Sequence, residues 1–180
     1  MISAIAAVDS NYGIGYKGEL LFNIKEDLKQ FKELTSNNIV IMGRKTWDSL
    51  PNKPLPNRTN IVITRKTDNI GDANNNVFYL DLDNAKDFLS NKDRKNDNVF
   101  IIGGGQIYKE LLPYCDRIYL TRMYKSFEAD TYFPDINIDN DWKLAEASEV
   151  KEIDNIKYQF CTYDRVNYME EDNEETDFCY

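Results

Sequence analysis

Asp27 is a carboxylate that the helical pattern of residues 24–34 places on the apolar side of a helix. At about 100° per residue, Asp27 falls between Phe31 and Leu34. The apolar residues of that face are Ile24, Leu28, Phe31 and Leu34. A carboxylate among apolar side chains is costly unless it has hydrogen-bonding partners, and a bound ligand can supply them. The alternative is a structural aspartate that caps a neighbouring loop, so this residue alone indicates either a ligand site or a structural contact.

Two strand-to-helix junctions combine glycine with groups that attract anions. Residues 101–108 (Ile-Ile-Gly-Gly-Gly-Gln-Ile-Tyr) pass from a buried strand into a helix, where free N–H groups favour phosphate. Residues 43–46 (Gly-Arg-Lys-Thr) place two cations and a hydroxyl at a second helix start, and Arg65 follows the strand that ends at Thr64. Together they suggest one ligand with several phosphates. The alternatives are a solvated basic edge and a steric need for glycine in tight turns.

The scaffold that must position these residues is predicted to be an α/β fold. Apolar, β-branched runs predict strands at residues 2–8, 39–42, 60–64, 77–80, 99–102, 117–124 and 157–165. Helical patterns lie at residues 24–35, 44–50, 84–90 and 105–112, the third with Asp83 or Asn84 as its expected cap. This alternation predicts a central, mostly parallel sheet with flanking helices, while strands 117–124 and 157–165 are expected to pair antiparallel.

Three segments between or beyond these elements have their own composition. Residues 9–21 contain Gly13, Gly15 and Gly18 and are expected to form a mobile loop, a candidate lid. Residues 51–56 contain three prolines, which indicate an extended rim. Residues 170–177 carry six acids, so the chain after about residue 166 is expected to be a frayed acidic tail or a partner-binding segment.

Composition limits the possible functions. A chain of 180 residues suits one domain, and its net charge of −9 argues against a nucleic-acid-binding surface. With no histidine, the chain lacks Ser-His-Asp chemistry and His-ligated zinc, and its three widely spaced cysteines indicate neither a disulfide framework nor a metal site. The sequence has no apolar run long enough to predict a membrane span, and residues 1–8 do not resemble a signal peptide. A cytoplasmic location is therefore expected.

The order of these and further motifs resembles dihydrofolate reductase over nearly all of residues 1–165. The matching residues are Ile5-Ala6-Ala7, Ile14-Gly15, Asp27-Leu28, Phe31-Lys32, Ile41-Met42-Gly43-Arg44, Thr46-Trp47, Pro54-Leu55-Pro56, Arg58, Ile102-Gly103-Gly104-Gly105, Tyr108, Leu120-Thr121, Asp130-Thr131 and Phe133-Pro134. The resemblance implies a dihydrofolate reductase domain over 1–165, with residues 38–97 as its adenosine-binding subdomain, followed by the acidic tail at 166–180.

The resemblance also implies a role for each matching side chain. Asp27 would bind the amidine-like edge of the pterin with support from Thr121, and Arg58 would bind the glutamate carboxylate with Lys32 nearby. The residues implied to bind the substrate are Ile5, Asp27, Leu28, Phe31, Lys32, Leu50, Leu55, Arg58, Ile102, Tyr108 and Thr121. The residues implied to bind NADPH are Ala7, Ile14, Gly15, Gly43, Arg44, Lys45, Thr46, Thr64, Arg65, Gly103, Gly104, Gly105, Gln106, Ile107 and Tyr108. Without the resemblance, the apolar members would be taken as ordinary core residues.

The implied reaction is hydride transfer from nicotinamide C4 to pterin C6 with protonation of N5, for which Asp27 is the catalytic residue. Arg44 and Arg65 would favour the 2′-phosphate of NADPH over NADH. The implied ligands are dihydrofolate and antifolates, and the implied oligomeric state is a monomer. Leu21-Phe22 departs from the family's usual Pro-Trp, so Phe22 lacks the indole N–H that orders a water near the acid.

Two other functions fit parts of this pattern. A related reductase of the same fold, acting on a pyrimidine or another pterin, would keep the NADPH residues but need not keep Asp27 together with Arg58. A non-catalytic protein would use the fold for ligand binding or assembly, with the acidic tail for docking. The joint presence of Asp27, Arg58 and both glycine-bearing junctions favours a folate reductase.

Overall fold

A computed structural model describes residues 1–65, 75–91, 97–138 and 140–166. The strands of these residues are β1 (Ile2–Val8), β2 (Gly13–Tyr16), β3 (Glu19–Leu20), β4 (Ile39–Gly43), β5 (Thr59–Ile63), β6 (Val77–Leu80), β7 (Val99–Ile101), β8 (Arg117–Met123), β9 (Thr131–Tyr132), β10 (Trp142–Ala147), β11 (Lys151–Ile153) and β12 (Ile156–Arg165). The helices are α1 (Lys25–Thr35), α2 (Arg44–Ser49), α3 (Leu82–Ser90), α4 (Gly105–Leu111) and a 3₁₀ turn at Leu112–Tyr114. The expected acidic tail lies outside the described residues from position 167 onward.

The main sheet is parallel over most of its width. Its order in the described chain is β10-β12-β8-β1-β7-β4-β5-β6, with β11 paired to β12. Every pair from β8 to β6 is parallel, whereas β12 runs antiparallel to both β8 and β10. The predicted fold class, including the antiparallel pairing near the C-terminus, is confirmed.

The central strands are apolar on both sides because helices cover both faces of the sheet. One face packs against α3 and α4 through Ala85, Leu89, Ile107 and Leu111. The other packs against Trp47 of α2 and Leu34 of α1. Parallel strands end at the same edge, so the segments that follow β1, β4, β5 and β7 are brought together there.

Three points of the sequence analysis need correction. The N-cap of α3 is Asp81 rather than Asp83 or Asn84, because the Asp81 carboxylate accepts a hydrogen bond from the Asn84 backbone N–H at 2.8 Å. β10 and β11 were not predicted because their side chains are mostly exposed and give no apolar run. Residues 9–21 are not simply a loop, since they contain β2 and β3, which form a second sheet with β9.

The start of the 9–21 segment is fixed by a buried carboxylate. Asp9 Oδ1 accepts hydrogen bonds from the backbone N–H groups of Asn11 at 2.8 Å and Gly13 at 2.7 Å. Its other oxygen accepts from the backbone N–H of Phe127 at 2.9 Å. Asp9 therefore joins the first turn after β1 to the connection between β8 and β9.

The segment between α2 and β5 follows the prediction from its prolines. Residues 50–58 form neither helix nor strand. The buried Asn60 holds this segment, because its side-chain oxygen accepts from the Leu55 N–H and its amide nitrogen donates to the carbonyls of Leu55 and Arg58, each at 3.0 Å. Within the described ranges, no helix has the length and apolar character needed to cross a membrane, and no three acidic or cysteine side chains cluster closely enough to bind a metal ion.

Candidate active site

The Asp27 carboxylate, in the first turn of α1, has one hydrogen-bonding partner among the described residues. The Thr121 hydroxyl on β8 donates a hydrogen bond of 2.6 Å to Asp27 Oδ1, and Thr121 itself is buried. Among the described residues, no cation pairs with the carboxylate and Oδ2 accepts no hydrogen bond. Thus the carboxylate on the apolar side of the helix is anchored on one oxygen and available to a ligand on the other.

Burial controls the ionisation of Asp27. Loss of solvent raises the pKa of the carboxyl, and the hydrogen bond from Thr121 opposes this rise only in part. The acid therefore retains its proton to a higher pH than an exposed aspartate. A carboxyl in this state can hold a proton or, as an anion, form a strong pair of hydrogen bonds with a cationic group.

Tyr108, which belongs to α4, lies close to Asp27. Its side chain is buried, and its hydroxyl donates a 2.6 Å hydrogen bond to the Ile5 carbonyl of β1. Burial raises the pKa of Tyr108, and the negative charge of Asp27 raises it further. Tyr108 is consequently a neutral, fixed hydroxyl beside the backbone of the strand that borders the Asp27 pocket.

The two glycine-bearing junctions meet at the carboxyl edge of the sheet. The Gly43 N–H donates a 2.7 Å hydrogen bond to the Gly103 carbonyl. A Cβ on Gly104 would lie 3.3 Å from Thr46 Oγ1, and a Cβ on Gly43 would lie 2.9 Å from Ile107 Cγ1. The predicted phosphate-binding turns are therefore in direct contact, with Thr46 between them.

Replacement of Gly103 should combine backbone strain with a steric clash. The φ of Gly103 is +105°, and an added Cβ would lie 2.9 Å from the Tyr108 ring. We expect Gly103→Ala to lower the free energy of unfolding by about 2–4 kcal/mol, from backbone strain plus the clash. Urea unfolding followed by circular dichroism measures this loss.

Gly18→Ala is the matched control for that substitution. Gly18 also has a positive φ of +85°, but an added Cβ would meet no atom within 4 Å. The control therefore carries backbone strain without a clash, and we expect it to cost about 1 kcal/mol. Equal losses for the two variants would show that the Tyr108 contact is unimportant.

The cations near these turns differ in whether they form an ion pair. Arg44 Nε lies 3.0 Å from both carboxylate oxygens of Asp48, one helical turn along α2. Both side chains are about half exposed, so the pair is weak and easily rearranged. Lys45 and Arg65 are exposed, and neither forms an ion pair with any described residue.

Arg58 is a buried cation with no anionic partner in the described chain. Its Nε donates to the Pro56 carbonyl and one terminal nitrogen donates to the Thr35 hydroxyl, each at 3.0 Å. Its guanidinium carbon lies 5.8 Å from the centre of the Phe31 ring. Because burial of a charge is costly and lowers the pKa of this group, a bound anion would be strongly favoured at its remaining N–H groups.

Apolar side chains line the space on the same face of the sheet as Asp27. The partly buried residues that pack there include Ile5, Leu50, Leu55 and Ile102. Leu28, one position after Asp27 in α1, remains 48% exposed although it belongs to the apolar stripe of the helix. Half-buried and exposed apolar side chains near a carboxylate are suited to a flat, partly aromatic ligand.

Comparison with known proteins identifies the family of this chain. The family model for dihydrofolate reductase matches residues 1–165. The chain belongs to the dihydrofolate reductase family. It is 38% identical over 169 residues to the dihydrofolate reductase of Bacillus subtilis, covering 93% of this chain and 96% of that protein. The predicted family and its class, the oxidoreductases, are confirmed.

Two further members of the dihydrofolate reductase family are similar over most of their length. The enzyme of Sus scrofa is 36% identical over 186 residues, which cover 92% of this chain and 98% of that protein. The enzyme of Buchnera aphidicola is 41% identical over 145 residues, which cover 79% of this chain and 84% of that protein. The match therefore includes the whole region that carries Asp27, Arg58 and both glycine-bearing junctions.

Several residues predicted for the family's cofactor site have local protein contacts. Gly15 pairs with Leu20 and Thr131, and its carbonyl accepts from the Asp130 N–H at 3.0 Å. Gln106 donates to Glu110 at 3.1 Å. Other residues predicted for the cofactor site differ in burial: Ala7 and Thr64 are partly buried, whereas Ile14 and Ile107 are almost fully buried. Lys32, which was predicted for the substrate site, is exposed.

Sequence reasoning missed two side chains that support the site. Thr35, at the end of α1, accepts the hydrogen bond from Arg58 while donating to the Phe31 carbonyl at 2.7 Å. Asn60 holds the backbone at Arg58 and before it, because its amide donates to the carbonyls of Arg58 and Leu55. The available indication was a polar residue within an apolar pattern, the same indication that identified Asp27.

Proposed function

We propose that the protein reduces 7,8-dihydrofolate to 5,6,7,8-tetrahydrofolate with NADPH, supplying one-carbon metabolism and thymidylate synthesis. The observation that carries this proposal is the presence of both a half-buried acid, Asp27, and a buried cation, Arg58, which has no anionic partner among the described residues. Dihydrofolate has complementary groups at its two ends, a hydrogen-bonding pterin and a glutamate carboxylate. Family membership supports the same assignment.

The substrate side of the site is proposed to bind these groups in order along α1. Asp27 receives the amino and ring N–H groups of the pterin, with the Ile5 and Ile102 backbones at its border. Leu28 and Phe31, together with Leu50 and Leu55, enclose the aminobenzoyl ring. Arg58 binds the glutamate carboxylate through two parallel hydrogen bonds, the geometry that guanidinium favours.

The NADPH side is proposed to be the edge where the two glycine-bearing junctions meet. The residues fit the group, because Thr46 faces Gly104, where a Cβ would lie 3.3 Å from its hydroxyl. Lys45 and Arg65 supply positive charge that no described carboxylate neutralises. We expect Lys45, Thr46 and the 103–108 turn to hold the diphosphate, and Arg44 and Arg65 to hold the 2′-phosphate.

The chemistry divides between the ligand and this chain. NADPH, when bound, supplies the hydride that reaches pterin C6. Asp27 orients the pterin and supplies the proton for N5, directly or through water, since the chain has no histidine and burial raises the pKa of this acid. Tyr108 and the Ile5 carbonyl keep the adjacent wall fixed through their 2.6 Å hydrogen bond.

Asp48 is expected to weaken NADPH binding by competing for Arg44. Asp48→Asn frees the guanidinium and removes a negative charge, so we expect NADPH to bind about two- to five-fold more tightly. NADH, which lacks the 2′-phosphate, should bind unchanged. Asp87→Asn on the opposite face is the charge-matched control, and fluorescence titration of both dinucleotides measures the ratio. Equal gains for both dinucleotides would show that Arg44 does not contact the 2′-phosphate.

The proposed function is tested by following the absorbance of NADPH with and without dihydrofolate. Dihydrofolate-dependent oxidation establishes the activity. A folded protein that binds NADPH but turns over only a pyrimidine or another pterin is a related reductase instead. Failure to bind either ligand identifies a non-catalytic protein.

The broader expectations also belong to this proposal. They are a reductase domain at residues 1–165 with an adenosine-binding part at about 38–97, a monomeric state, a cytoplasmic location and no nucleic-acid partner. Size-exclusion chromatography with light scattering tests the oligomeric state.

A further inference from the structure

The first turn of α1 has a second attachment, one residue before the acid. Glu26 Oε2 accepts a hydrogen bond of 2.9 Å from the Tyr158 hydroxyl and forms a 2.7 Å ion pair with Lys151. Tyr158 lies on β12 and is buried, with only 3% of its surface exposed. Lys151 lies on β11, and its side chain is about half exposed.

The two attachments connect to neighbouring strands. Asp27 is held by Thr121 on β8, and Thr121 is paired in register with Phe160 on β12. Tyr158, two residues earlier on β12, holds Glu26. Adjacent helix residues point about 100° apart, so contacts at both Glu26 and Asp27 restrain the rotation of the first turn of α1 more tightly than one of them alone.

Local features leave α1 dependent on these attachments. Its N-cap residue is Ile24, whose side chain makes no capping hydrogen bond. Ile24 instead packs with Tyr158 and Met123 in a small buried cluster. The Tyr158 side chain therefore contacts the helix start twice, through its ring at Ile24 and through its hydroxyl at Glu26.

We propose that Tyr158 is a positioning residue for Asp27, holding the first turn of α1 through Glu26 so that the carboxylate stays between Thr121 and the substrate. This inference rests on the proposed folate reductase activity for its kinetic consequence. Burial and the Glu26 carboxylate raise the pKa of Tyr158, so its hydroxyl remains a donor at neutral pH. Lys151 adds little, because both partners of its ion pair are about half exposed to solvent.

Tyr158→Phe tests the proposal, because it removes the hydroxyl and keeps the ring on Ile24. We expect kcat/KM for dihydrofolate to fall about three- to ten-fold, with NADPH affinity unchanged. Rotation of α1 would expose Asp27 to more water, so the alkaline limb of the pH profile should move to lower pH. The titratable groups that interact electrostatically with Asp27 are Tyr108 from α4 and Tyr158 from β12.

Three further variants separate positioning from general stability. Glu26→Gln keeps a carbonyl acceptor for Tyr158 and should stay near wild type, whereas Glu26→Ala should match Tyr158→Phe. The double variant Tyr158→Phe/Glu26→Ala should lose no more than either single one, because both remove the same contact. Lys151→Met should change little. Wild-type kinetics and pH dependence in Tyr158→Phe would overturn the proposal.

The Asp27 carboxyl can also be titrated directly by carbon NMR in the ligand-free protein. A lower Asp27 pKa in Tyr158→Phe than in the wild type supports positioning, and an identical titration overturns it, whatever substrate the enzyme uses. Absence of dihydrofolate turnover in the wild type would instead overturn the proposed function, so the two failures are distinguishable.

Discussion

Asp27→Asn should lower dihydrofolate-dependent turnover at neutral pH about 10²–10³-fold while keeping the fold. The amide can still accept the hydrogen bond from Thr121, so the side chain stays in place. It can neither ionise nor deliver a proton, and it offers one acceptor where the carboxylate offers two. The initial rate of NADPH oxidation at saturating ligands measures this loss.

The pH dependence should separate the charge of Asp27 from its shape. Because burial raises its pKa, wild-type kcat/KM should fall as pH rises through that raised value. In Asp27→Asn this limb should disappear, and the residual rate should increase steadily with proton concentration. Glu33→Gln, an exposed acid on the same helix, is the charge-matched control and should behave as wild type.

The stability of Asp27→Asn provides the check on folding. A raised carboxyl pKa means that the ionised form is disfavoured in the folded state, so the native protein loses stability as pH rises through that pKa. At neutral pH the Tm of the variant should therefore equal or exceed that of the wild type. The increase should be roughly 2–4 °C for each kcal/mol by which removal of the buried charge raises the free energy of unfolding. The difference should vanish below the ordinary aspartate pKa. Wild-type turnover in a folded variant would sink the assignment of Asp27.

The sequence predicted the parts of the fold that rest on local periodicity. β1, β4, β5 and β7 are continuous apolar runs because they are covered on both faces, and such runs are visible without tertiary information. α1 was visible for the complementary reason, a stripe of apolar residues at helical spacing. Asp27 was conspicuous only because that stripe was regular.

What the sequence could not predict depends on contacts between distant residues. β10 and β11 are exposed and lie at the β12 end of the sheet, so their side chains follow no apolar pattern. Thr121 and Asp27 are 94 residues apart, and no spacing rule connects them. The family resemblance supplied that contact, whereas the bond between Tyr158 and Glu26 was suggested by neither route.

Arg44 shows a different limit. Its position at a glycine-bearing helix start indicated an anion site, and the Asp48 carboxylate that engages it is one turn away in the same helix. An i,i+4 pair of opposite charge is visible in the sequence. Whether such a pair holds or releases the arginine when a phosphate binds is a balance of small energies that no pattern encodes.

Arg58→Leu should raise KM for dihydrofolate by about 10²–10³-fold with little change in kcat. The wild-type guanidinium is buried and has no anionic partner in the described part of the chain, so the substrate carboxylate would complete a desolvated charge pair. Removing one partner of such a pair costs about 2–5 kcal/mol. The proposed contact would lie far from the reacting atoms and would be made equally in the ground and transition states, which would place its effect in KM. Steady-state kinetics over a wide range of dihydrofolate concentrations measures the change.

Arg58→Lys is the conservative companion variant. Lysine keeps the charge but cannot hold the Pro56 carbonyl and the Thr35 hydroxyl while presenting two parallel donors to a carboxylate. We expect an intermediate increase in KM, about ten-fold. Thr35→Val removes the neutral neighbour alone and should have a smaller effect than either substitution of Arg58.

A substrate that lacks the glutamyl carboxylates decides what Arg58 binds. If the guanidinium holds those carboxylates, wild type and Arg58→Leu should reduce the truncated substrate with the same kcat/KM, because the interaction is absent from both reactions. If Arg58 instead serves only to hold Pro56 and Thr35 in place, Arg58→Leu should impair the truncated and intact substrates equally. The first result would show that Arg58 binds the substrate carboxylates, and the second would show that Arg58 has a structural role.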